Sequence, residues 1–90
     1  MHAETHEEKV ARRAAEDARR LEYRARIAAA LADLEREERA WRTARAVAVA
    51  TARDTAEYLR LTAPAEARYQ DALAAYRTAV ARDTLARRGA

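Results

Sequence analysis

Ninety residues carrying a net charge of +3 allow one small domain or one elongated element, and a chain half hydrophobic without a single phenylalanine builds only a thin core. Cysteine is absent, which excludes disulfides and thiol chemistry, and serine is absent as well, which removes the commonest hydroxyl nucleophile. The longest uncharged stretch, residues 46–52, is far too short to cross a bilayer.

The amino terminus has no apolar run of the kind a secretory leader needs. His2 and His6 stand four apart, but the chain end frays there. Neither has the preceding glutamate that a di-iron bundle requires, so no metal site and no cofactor is expected. Thr5-His6-Glu7-Glu8 matches a capping box, in which Thr5 accepts from the third helical amide and Glu8 reaches back.

From Thr5 to Leu61 the chain contains neither glycine nor proline and is rich in alanine, arginine, glutamate and leucine, the best helix formers. The pairs Glu8–Arg12, Glu16–Arg20, Glu22–Arg26 and Glu35–Arg39 stand four apart with the acid first, the orientation that supports a solvent-facing helix. A helical region is therefore predicted over about residues 5–60. At 100° per residue, Tyr23, Ile27, Leu31, Leu34, Trp41, Ala52 and Leu59 share one face, with Glu38 and Arg45 intruding on it. Two breaks would divide this region: Arg39 to Thr43, or Asp54 followed by Glu57 at capping-box spacing.

Residues 61–63 are predicted as the turn, since Pro64 suits the first turn of a helix and Glu66 complements its dipole. A second helix follows over about 64–88 and stops where Arg87 and Arg88 precede Gly89. Tyr69, Leu73, Tyr76 and Val80 are spaced four, three and four, the seam of a helix pair. Folded back from Pro64, this helix covers only about residues 36–60. Tyr23, Ile27, Leu31 and Leu34 would then need another subunit.

The expected fold is all-α: a long helix with a shorter antiparallel C-terminal helix, in the manner of a helical hairpin or coiled coil, with a three-helix bundle as the alternative. The whole chain, residues 1–90, forms one unit. No catalytic constellation is visible, and an enzyme is not expected. The interaction seam comprises Tyr23, Ile27, Leu31, Leu34, Trp41, Leu59, Tyr69, Leu73, Tyr76 and Val80. It implies a protein–protein interaction or assembly module that binds itself as a homo-oligomer or binds another protein.

Arginines outnumber acids over residues 41–90, and Arg42, Arg53 and Arg60 fall on one side of the predicted first helix. Arginine forks suit phosphates, so non-specific nucleic-acid binding is the alternative function. Interleaved acids and the lack of a DNA-reading motif weigh against it. Arginine used almost to the exclusion of lysine, with no asparagine, fits a high-GC bacterium or its phage. The expected location is the cytoplasm, or a virion. No family resemblance is strong enough to name.

Overall fold

The computed structural model describes residues 3–89; His2 lies outside them. The chain is all-α, a hairpin of two long helices, α1 (His6–Thr51) and α2 (Thr55–Gly89). The predicted capping box forms at the start of α1. Thr5 Oγ1 accepts from the Glu8 amide at 3.1 Å, and Glu8 Oε2 accepts from the Thr5 amide at 3.3 Å. At the far end, Gly89 closes α2 after Arg87 and Arg88, cations placed where the helix dipole is negative.

The position of the turn corrects the sequence reading. The chain reverses at residues 52–54, not 61–63, and α2 runs straight through Pro64. Glycine is dispensable at this turn because no residue takes a positive φ: Ala52 leaves α1 in an ordinary extended conformation, φ −69° and ψ 136°. Asp54 then starts α2, its Oδ1 accepting from the Glu57 amide at 2.8 Å. The Asp54–Glu57 spacing was therefore the true helix start. Pro64 sits on the outward, exposed side of α2, where its ring and missing N–H meet solvent instead of the partner helix.

Two helices form, not the three of a bundle, and no break occurs between Arg39 and Thr43. Removing the Asp54 cap by Asp54→Ala should lower stability by about 1 kcal/mol, readable as a shifted urea midpoint at unchanged slope. A variant indistinguishable from the parent would show that the turn holds without its cap.

The early turn changes what covers what. With 35 residues, α2 reaches back along most of the 46-residue α1. Residues α2 places near Tyr23 include Thr78 and Arg82, so Tyr23 and Ile27 are half-buried within the chain. The expectation that nothing in the chain covers Tyr23, Ile27, Leu31 and Leu34 is overturned for Tyr23, Ile27 and Leu34, whereas Leu31 stays exposed. Only the first turns of α1, about 17 Å of helix, project past the end of α2.

The buried and half-buried positions alternate by three and four along both helices. In α1 the alternating set is Tyr23, Ile27, Ala30, Leu34, Glu37, Trp41, Ala44 and Ala48; in α2 it is Tyr58, Thr62, Ala65, Tyr69, Ala72, Tyr76, Ala79, Asp83 and Ala86, with Glu16, Glu38, Glu57 and Leu73 half-buried besides. This is the heptad seam of an antiparallel coiled coil. In α2 alanine occupies every second seam position from Ala65 onward, which lets the two backbones approach closely. Ala48 is fully buried and Ala65 nearly so.

Candidate interaction surface

The molecule measures 74 × 18 × 12 Å. These are the dimensions of the Cα trace, and two helices side by side make a single layer. A stable domain ordinarily packs two layers around a core. Here the buried apolar residues are Ala48 and Ala65 alone among the described residues, and no large side chain is fully enclosed.

The two broad faces of that layer differ. Because the helices are antiparallel, the residues just before each helix's first heptad core position fall on one side of the seam. Those just after the second core position fall on the other. Arg26, Asp33, Arg68 and Ala75 line a groove on the first side, together with Ala29 and Asp71. That side is polar and alanine-rich along most of its length, with Val47 and Leu61, 53% and 43% exposed, beside the turn. The opposite side carries the row Asp17, Arg24, Leu31, Glu38 and Arg45 from α1 and the row Leu59, Glu66, Leu73, Val80 and Arg87 from α2. Its centre is apolar: Leu31 is 38% exposed, Val80 36%, and Leu73 is half-buried between them and the seam.

This placement sorts the residues expected in the interaction seam. Tyr23, Ile27, Leu34, Trp41, Tyr69 and Tyr76 lie in the hairpin seam itself. Leu31, Leu73 and Val80 lie beside it on the apolar face. Leu59 belongs to α2 rather than α1 and is 56% exposed. The α2 stripe of Tyr69, Leu73, Tyr76 and Val80 is thus divided: its tyrosines hold the hairpin, and its aliphatic members flank it.

Aromatic contacts anchor the seam. Trp41 and Tyr69 stack with ring centroids 5.0 Å apart and planes inclined by 15°. The Arg45 guanidinium lies over the Trp41 ring at 5.1 Å, and that of Arg26 over Tyr23 at 5.9 Å. Arg45 had looked misplaced on an apolar face; its guanidinium lies over the face of the indole. Sequence reasoning missed Glu37, a seam residue whose carboxylate meets Arg68 of α2 at 3.5 Å. It also missed the buried Thr62, whose hydroxyl donates to the Tyr58 carbonyl at 3.0 Å. Counting alanine as a seam residue in the three-four alternation would have found the register of both.

The arginines offered as phosphate contacts are separated by the early turn. Arg42 is on α1 and pairs with Glu38, Arg53 is in the turn, and Arg60 is on α2. They do not share one side of a helix, which corrects the edge drawn from sequence. Further exposed pairs, Arg26–Glu22 and Arg36–Asp33, neutralise other cations locally. Among the described residues no group of three or more His, Cys, Asp or Glu side chains could hold a metal ion, and no helix is long and apolar enough to cross a membrane. No protein-family model, no curated protein and no solved structure matches the chain.

Proposed function

We propose that this hairpin is a non-enzymatic interaction or assembly module whose apolar face, centred on Leu31, Leu73 and Val80, is covered by another protein surface. One observation carries the reading: a single layer of two helices buries, among the described residues, only two alanines as its apolar core. Such a layer gains little hydrophobic stabilisation by itself, and small scaffolds of this kind depend on association. The partner is a second copy of the chain or a different protein. The dispersal of Arg42, Arg53 and Arg60 over three elements argues against the nucleic-acid alternative.

The expected result is that helicity depends on association. Circular dichroism of the chain, diluted until light scattering records only monomer, should show a weak and poorly cooperative thermal transition. A monomer that melts cooperatively at high temperature with nothing bound would defeat the reading, since its face would then need no cover.

A further inference from the structure

The apolar face carries a charge pattern that selects its occupant. Along α1 its row reads Val10, Asp17, Arg24, Leu31, Glu38, Arg45 and Ala52, one residue per heptad. Reflected through Leu31, Arg24 falls on Glu38 and Asp17 on Arg45, so every charge meets its opposite. Along α2 the row reads Leu59, Glu66, Leu73, Val80 and Arg87, with Leu59, next to the turn, lying outside the stretch that reflects onto itself. Reflected through the midpoint of that stretch, Glu66 falls on Arg87 and Leu73 on Val80. The two mirror points lie side by side, because the antiparallel register sets Leu31 beside the Leu73–Val80 pair. Leu31 is also close to the midpoint of the stretch from His6 to the turn, so reflection there overlaps the hairpin along its full length.

A surface that is complementary to its own reflection is the signature of an isologous two-fold contact. Resting on the interaction reading above, we infer that the occupant is a second copy of this chain. It stacks face to face about a two-fold axis through Leu31, α1 crossing α1 and α2 crossing α2 in opposite directions, to make a four-helix bundle. The parallel stacking is disfavoured, because it sets Glu38 of one copy against Glu66 of the other. The available area agrees. The chain exposes 7177 Å², whereas a compact monomer of 10.1 kDa exposes about 5,300 Å². The surplus of roughly 1,900 Å² exceeds the ~800 Å² per partner of a standard interface. Existing contacts do not obstruct this arrangement. Glu38 pairs with Arg42, and Arg87 with the buried Asp83, each in i,i+4 geometry; the exposed Arg87 guanidinium and the half-buried Glu38 carboxylate keep edges for a neighbour.

Sedimentation at micromolar concentration should give twice the chain mass. Arg24→Glu and Glu38→Arg should each raise the dimer dissociation constant about tenfold, since each reversal creates two like-charge contacts across the axis. The double variant should return to within a few-fold of the parent. Leu31→Glu should leave only monomer, and Ala75→Glu on the opposite face should leave the dimer intact. Monomeric parent protein would overturn the inference. So would a dimer broken by Ala75→Glu but not by Leu31→Glu, or a double variant no tighter than either single one. A monomer that is weakly helical overturns the homodimer yet retains the interaction reading, whereas a stably folded monomer removes both.

Discussion

Trp41→Ala should cost about 3 kcal/mol, enough to leave much of the chain unfolded at room temperature. The indole is the largest side chain in the seam, and it stacks on Tyr69 across the two helices while the Arg45 guanidinium lies over its ring. Truncation removes the area, the ring stacking and the support for Arg45 together, and the stack alone adds about 1 kcal/mol to the area term. Half-exposure of the indole places the effect at the low end of the range for tryptophan deletions. Urea titration followed by circular dichroism measures it, with Leu85→Ala, an exposed aliphatic on the outer side of α2, as the reference. Equal midpoints for the two variants would show that the stack does not hold the hairpin.

Pro64→Ala should act in the opposite direction and raise stability by about 2 kcal/mol. Inside a helix proline costs about 3 kcal/mol relative to alanine, through its missing N–H and the clash of its ring with the preceding turn. Proline also restricts the unfolded chain, which returns part of that cost, about 0.4–1 kcal/mol. Alanine would donate to the Arg60 carbonyl and continue the helix from Thr55 unbroken. Because residue 64 is exposed, no packing contact is lost. Thermal melts of the two proteins at equal concentration compare them. An unchanged or lower melting temperature would mean that α2 relies on the proline as a first-turn residue, as the sequence had suggested.

The helical character of the chain and its hairpin form were legible in the residues. Long glycine-free stretches of alanine, arginine and glutamate leave no competing secondary structure, and the capping box at Thr5 marks its helix start without ambiguity. The turn was not legible by the same means, because a proline usually outweighs an aspartate as a boundary signal. Asp54 prevailed because folding back at residue 52 lengthens the second helix from about 25 residues to 35, which adds more than a heptad to the seam. That gain comes from pairing across the whole molecule, which no local window contains. Tyr23, Trp41, Tyr69 and Tyr76 followed from spacing, whereas Tyr58, beside the unforeseen turn, did not. Ala44, Ala48, Ala65 and Ala72 did not, since alanine is everywhere in this sequence and its burial depends on the partner helix. The division between a seam and a flanking apolar face likewise needed the register of both helices.

The three-residue turn also governs the order in which the molecule assembles. Residues next to it, such as Ala48 and Tyr58, close a short loop, whereas Tyr23 and Arg82 meet only after most of both helices are aligned. Loop-closure entropy rises only logarithmically with length, so once the first heptad beside the turn has formed, each further one adds burial at little extra cost. The expected order of closing is therefore a zipper that starts at Asp54 and ends where α2 runs out. Changes beside the turn slow its closing, and changes at the open end mainly hasten its opening.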